Sequence, residues 1–472
     1  MLIYGSGDAG IQLISALAYS NEYHPVGLID DSVELQGSQI RGLEIYSFSN
    51  IGKIIDKLKV DEVLIAMPSA SRKRKFSIIE KLEPFPVHVK MLPGLIDLAA
   101  GKVKVSDLRE VNIEDLLGRN KVEPNKSLLE KNIFNKVVLV TGAGGSIGSE
   151  LCRQIISLQP KALVLFEMSE YALYTVEREL STLSSSTIKI YPYLGTVSDI
   201  NRITYLLKKY SVNTIYHAAA YKHVPIVENN NSEGIKNNIF GTLNCAKAAI
   251  ESDVDTFVLI STDKAVRPTN TMGATKRVAE LVLQSLSKQN KSDTKFTMVR
   301  FGNVLGSSGS VIPLFKQQIK NGGPVTITDE RIIRYFMTIS EAVELVIQAG
   351  TIGQGGDLFV LDMGKPSLIK DLAIKMIHLS GLEVKDKSNP DGDIEIEYIG
   401  LRPGEKLYEE LLIGENVSET EHPKIMRAEE SMIEWVELKK ILDDLEVSIK
   451  NQEHDNLVKL LLKAVPEFKS QS

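Results

Sequence analysis

Two stretches of this sequence constrain its fold more than any others: LIYGSGDAGIQLISAL at 2–17 and KVVLVTGAGGSIGSELCRQII at 136–156. Each passes from a short apolar run through a glycine-rich turn into an amphipathic segment of helical period. Each is followed by another apolar run that ends on an acid, Asp30 in PVGLIDD and Glu167 in ALVLFEMSE. Glycines without a Cβ let the backbone approach a pyrophosphate closely, while the helix that follows turns its free N–H groups to the negative charge. The acid one strand later is placed to accept ribose hydroxyls. Two complete copies of this order predict two Rossmann-like domains in tandem.

The alternation continues through VNTIYHAAA, VDTFVLIST and KFTMVRFGNV, each a short β-branched run with helical segments between. That order predicts an α/β fold with doubly wound parallel sheets. The expected organisation is an accessory Rossmann-like domain at 1–117, a polar linker at 118–136 and a second domain at 137–472. In the second, dinucleotide binding takes 137–300, and a looser, Gly- and Pro-bearing substrate lobe takes most of 301–472.

Composition narrows the function classes. The net charge of −6 is spread along the chain with no basic stripe, which argues against a nucleic-acid partner. Cys152 and Cys245 each fall inside a helical segment, so a disulfide framework is not expected and a reducing compartment fits. No metal-ligand cluster stands out. No apolar run approaches the roughly 20 residues that cross a bilayer. Gly5 nevertheless follows only four residues, a short start for a strand, so an upstream segment is expected to be missing.

In the second turn the cofactor-binding candidates are Thr141, Gly142, Gly145, Ser146, Ile147 and Gly148, with Glu167 on the ribose. A carboxylate there would repel a 2′-phosphate, so NAD is expected over NADP. Ala218, Ala219, Ala220 and Tyr221 follow another strand and would cover the cofactor. In the first turn, Gly5, Gly7, Gly10 and Asp30 leave nucleotide binding and a purely structural role equally open. The basic run SRKRK at 71–75 reads as a solvated helix start.

The stretch STDKAVRPTNTMGATKR at 261–277 closes the strand VDTFVLIST, at the carboxyl edge where open α/β sheets place their ligands. From the residues alone, a solvated strand-end ion pair is a stronger reading of Asp263 and Lys264 than an acid–base pair. Met272 and Lys276 lie four apart on a helix and share one face.

Together with HAAAYKHVPIVE, NNIFGTLN, RFGNVLGSSGSVIPLF, RYFMTISEA and LRPGEKLYEELL, these stretches resemble the bacterial nucleotide-sugar 4,6-dehydratases of polysaccharide biosynthesis. Those belong to the extended short-chain dehydrogenase/reductase superfamily, and the resemblance covers essentially the whole chain. It implies NAD-dependent conversion of UDP-N-acetylglucosamine to UDP-2-acetamido-2,6-dideoxy-xylo-hexos-4-ulose. Long members have methionine where short members keep a tyrosine base, here Met272, and retain the C5 configuration. They also carry transmembrane helices ahead of the first domain, which implies a place on the cytoplasmic side of the inner membrane. A homo-oligomer is expected.

The resemblance assigns Asp263 as the acid for water loss, Lys264 as the base at C5, Thr262 to the 4-hydroxyl and Lys276 to the nicotinamide ribose. For Lys264 to act as a base its pKa must fall, which burial and cations such as Lys276 are expected to achieve. Lys222, His223, Asn303, Arg334, Arg402 and Glu405 are the substrate-binding candidates, the arginines suiting a diphosphate. A UDP-sugar 4-epimerase and a non-catalytic NAD or nucleotide-sugar sensor remain the alternatives.

Overall fold

The computed structural model describes residues 1–18, 20, 22–92, 108–111, 122–183, 188–289, 293–410 and 417–470. The boundary expected at 117/118 lies outside them. The chain divides into two compact units, the first comprising Met1–Asn120, Gly309–Arg331 and Leu368–Gly400, the second the remainder.

In the first unit, strands β1 (Leu2–Tyr4), β2 (Gly27–Ile29), β3 (Gln39–Ile40), β4 (Leu43–Tyr46), β5 (Glu62–Ile65), β6 (His88–Met91) and β7 (Arg109–Glu110) form a sheet in the order β3-β4-β2-β1-β5-β6-β7. Only β3 and β7, at the edges, run antiparallel to their neighbours. Alternate residues of β1 bury to opposite faces: Leu2 and Tyr4 pack with Ile78 and Ile79, and Ile3 packs with Leu13 and Leu17. Burial on both faces explains why these strands read as unbroken apolar runs. Helix α1 (Asp8–Leu17) follows the first glycine turn, and α2 (Arg72–Leu82) begins in the basic run, with Ser71 accepting from the Arg74 N–H at 3.2 Å.

Segments 309–331 and 368–400, read from sequence as substrate lobe, group with this first unit. Leu379 joins the apolar cluster of Leu82 and Val87, Lys375 pairs with Glu83 at 3.0 Å, and the His378 ring meets the Glu83 carbonyl at 2.8 Å.

The second unit is built on β8 (Val137–Thr141), β9 (Ala162–Glu167), β10 (Lys189–Leu194), β11 (Thr214–His217), β12 (Thr256–Ile260), β13 (Lys295–Arg300), β14 (Asp357–Leu361), β15 (Val417–Glu419) and β16 (Ile425–Ala428). Their order is β10-β9-β8-β11-β12-β13-β14-β16-β15, parallel as far as β14. Strand order reverses between β8 and β11, which opens a crevice at their carboxyl ends. The unit also contains α3 (Ser146–Ser157), α4 (Gly241–Glu251) and α5 (Thr271–Lys288). The segment expected as linker contributes to this unit's core, because Leu128 and Ile133 are buried in it. Among the described residues no helix is long and apolar enough to cross a membrane, and no cluster suits a metal ion.

Candidate functional site

The glycine turn between β8 and α3 leaves no room for side chains. Gly142 sits at φ +65°, where its Cβ would meet the Ala219 backbone at 2.8 Å, and a Cβ on Gly148 would lie 1.9 Å from the Gly142 carbonyl. Gly145 caps α3, which opens with Ser146 and Ile147, and Ser146 Oγ accepts from the Ser308 N–H at 3.2 Å. Glu167 accepts from the N–H groups of Gly144, Met168 and Ser169 at 2.9–3.0 Å, so the acid is fixed against the turn. Thr141 Oγ1 accepts from the Ala219 N–H at 3.3 Å and meets the His217 ring at 2.7 Å, which ties the ends of β8 and β11 together. Gly142, Gly145, Glu167, Ala218, Ala219, Ala220 and Tyr221 converge on a cleft of about 250 Å³.

Among the residues at this cleft that were not read from sequence are two asparagines. Asn237 lines it, and Asn238 clamps its rim by accepting from the Tyr221 N–H at 2.8 Å and donating to the Tyr221 carbonyl and Thr275 Oγ1 at 3.0 Å. Both lie in a π-helical turn, Lys236–Phe240, a distortion that recurs at functional sites. The available signal was the polar pair opening NNIFGTLN.

The second group gathers at the end of β12. Asp263 is fully buried; its Oδ1 accepts from Thr262 Oγ1 at 2.9 Å and from Lys264 Nζ at 3.1 Å. Lys264 Nζ also lies 3.4 Å from Asn303 Oδ1 and 3.4 Å from Glu409 Oε1. Three buried polar atoms around this ammonium have no protein partner: Asp263 Oδ2, Asn303 Nδ2 and Glu409 Oε2. Buried polar groups are normally satisfied, so such a cluster marks a place for ligand polar groups.

The electrostatics correct one expectation. Burial disfavours the Lys264 ammonium, but Asp263 and Glu409 outweigh it and hold its pKa above the ordinary lysine value. The cation acting on it is Arg334, not Lys276. Burial holds Asp263 above the ordinary aspartate value, with Glu409 adding to the effect and Lys264 opposing it. Lys276, by contrast, is lowered: burial brings it to about 8, and its Nζ donates to the Ile260 carbonyl at 2.7 Å. Met272 is buried one turn before it on α5.

Lys264, Arg334, Arg402 and Glu405 line a cavity of about 180 Å³ with Asn270 and Glu409, neither of which was read from sequence. Arg402 is exposed at this cavity, whereas Arg334 is largely consumed by the protein. It donates to the Ile333 carbonyl at 2.8 Å and to the Leu407 carbonyl and Glu405 at 3.2 Å. Lys222 and His223 keep exposed side chains, yet burial holds both below their ordinary pKa values; the Lys264 charge adds to the shift at Lys222.

A family profile described as polysaccharide biosynthesis protein matches residues 138–430. The capsular polysaccharide biosynthesis protein CapD of Staphylococcus aureus is 43% identical over 464 residues, 97% of this chain and 76% of that protein. A UDP-glucose 4-epimerase of Rickettsia rickettsii is 32% identical over 291 residues, 61% of this chain and 80% of that protein. Among solved structures, Pen from Bacillus thuringiensis is similar with a TM-score of 0.55 at 36% identity, covering 62% of this chain and 86% of that one.

Proposed function

This chain belongs to the polysaccharide biosynthesis protein family, and from that premise we propose that it is an NAD-dependent UDP-N-acetylglucosamine 4,6-dehydratase that retains the C5 configuration. The observation that most supports this reading is the buried Asp263–Lys264 pair with its unpartnered neighbours at the carboxyl edge of the sheet.

The residues of the glycine turn fit a dinucleotide, because Gly142 and Gly148 keep clear a cradle that a Cβ would fill, and Glu167 at the next strand end disfavours a 2′-phosphate. Bound there, a nicotinamide would take hydride from C4 of the sugar and return it at C6. The chain's own residues move the protons. Thr262 relays the 4-hydroxyl proton to Asp263, since the thioether of Met272 has none to exchange. With C4 a ketone, the C5 proton is acidic and Lys264 takes it. Asp263 delivers its proton to the 6-hydroxyl, which leaves as water. Lys264 returns its proton to C5 on the face it came from, which preserves the configuration.

The similarity to a UDP-glucose 4-epimerase favours a second reading, C4 epimerisation, which shares the first oxidation but needs no acid at the 6-hydroxyl. Proton NMR of UDP-N-acetylglucosamine after incubation with the protein separates the two. A C6 methyl signal is expected for dehydration; a C4 epimer with an intact 6-hydroxymethyl group would establish the second reading instead.

A further inference from the structure

We infer that Glu409 accepts a proton from Lys264 and so frees the amine to act as the C5 base, making Glu409 a positioning residue for the reaction proposed above. The inference rests on that reading. Its starting point is a conflict inside the site: a base needs a lone pair, but Lys264 is held as an ammonium between two carboxylates, 3.1 Å from Asp263 Oδ1 and 3.4 Å from Glu409 Oε1.

Of the two carboxylates, Asp263 cannot take the extra proton. It must receive the 4-hydroxyl proton and pass it to the departing water, and its Oδ1 already accepts from Thr262 and Lys264. Glu409 has no such task. It is buried, lines the cavity and keeps Oε2 without a partner. The cations acting on it are Lys264, Arg334 and Lys406, with Arg334 Nε 3.6 Å from Oε1, and the Asp263 carboxylate opposes them. These cations outweigh burial and keep Glu409 ionised before substrate arrives. A sugar filling the cavity displaces water, and an ion pair in a dry site costs more than the neutral pair formed by moving one proton. The Lys264 N–H bond breaks, an O–H bond forms on Glu409, and the nitrogen lone pair then takes the C5 proton. After C5 is reprotonated, Glu409 returns its proton to Lys264, so the pair ends as it began.

The test is Glu409→Gln, near in shape but a much weaker proton acceptor, given UDP-N-acetylglucosamine in parallel with the unaltered protein. The near-ultraviolet band of reduced nicotinamide is followed alongside water loss. In the variant the band is expected to appear, because C4 oxidation does not need Glu409, while dehydration at neutral pH falls by about a hundredfold or more. The loss is expected to shrink as pH rises, by up to about tenfold per unit, because hydroxide replaces Glu409 in deprotonating Lys264. Turnover equal to the unaltered protein, or a loss that is the same at every pH, would overturn the inference. Should Glu409→Gln not fold, Glu409→Asp carries the same readouts with the acceptor held farther away. If the unaltered protein itself removes no water, the dehydratase reading fails and takes this inference with it.

Discussion

At the scale of single residues, Asp263 and Lys264 adjoin in the chain, and each is set by what faces it. Lys264→Ala is expected to abolish dehydration while leaving dinucleotide affinity unchanged in a calorimetric titration, because Lys264 lines the cavity around Arg402 and Glu409 and not the cleft at the glycine turn. Met272→Ala is expected to keep measurable turnover, since a thioether relays no proton. It should nonetheless lower the unfolding free energy by about 2–5 kcal/mol, read from urea denaturation, because it empties a buried volume. The position of Thr262, Asp263 and Lys264 was legible in sequence because a strand end fixes where the next residues go. The charge state of Lys264 was not. Besides burial and the adjacent Asp263, it depends on Glu409 and Arg334, which lie far along the chain and reach the site only through the fold. Asn238 escaped for a similar reason, since its role depends on a helical distortion that the residue order does not announce.

At the scale of elements, α5 carries Met272 and Lys276 and is buried from Thr271 to Leu286 on every face. The helix also holds Arg277 and Glu280. It is buried here because the charges find partners. Glu280 accepts from Ser261 Oγ at 2.5 Å, from Arg300 Nε at 2.7 Å and from Arg277 at 3.2 Å, and Glu430 completes the network against Arg300 and Arg277. One carboxylate therefore joins α5 to the ends of β12 and β13, the strands that lead to Asp263 and Asn303. Glu280→Gln leaves the buried Arg277 and Arg300 guanidinium groups to share Glu430 and is expected to cost about 3–5 kcal/mol, measured as a lowered urea midpoint. At the other element junction, Gly148→Ala places a methyl 1.9 Å from the Gly142 carbonyl, backbone that cannot yield as a side chain would. Loss of dinucleotide binding in equilibrium dialysis is the expected result. This glycine was readable from its spacing alone, because the close approach is local.

At the scale of the whole molecule, the tandem α/β plan was legible because both glycine turns and both strand-end acids lie within short stretches of sequence. The grouping of 309–331 and 368–400 with the first unit was not, because contacts such as that of Leu379 with Leu82 join distant parts of the chain. The first turn repeats the logic of the second: Gly10 packs on the Gly5 carbonyl, and Asp30 accepts from the Ser6 N–H at 2.8 Å. The second unit adds the Asp263–Lys264 cluster, and the proposed activity belongs to that unit. The most direct test is mass spectrometry of UDP-N-acetylglucosamine incubated with the purified protein, first without and then with added NAD. A product lighter than the substrate by one water is the expected result. A nucleotide sugar of unchanged mass under both conditions would contradict the dehydratase reading.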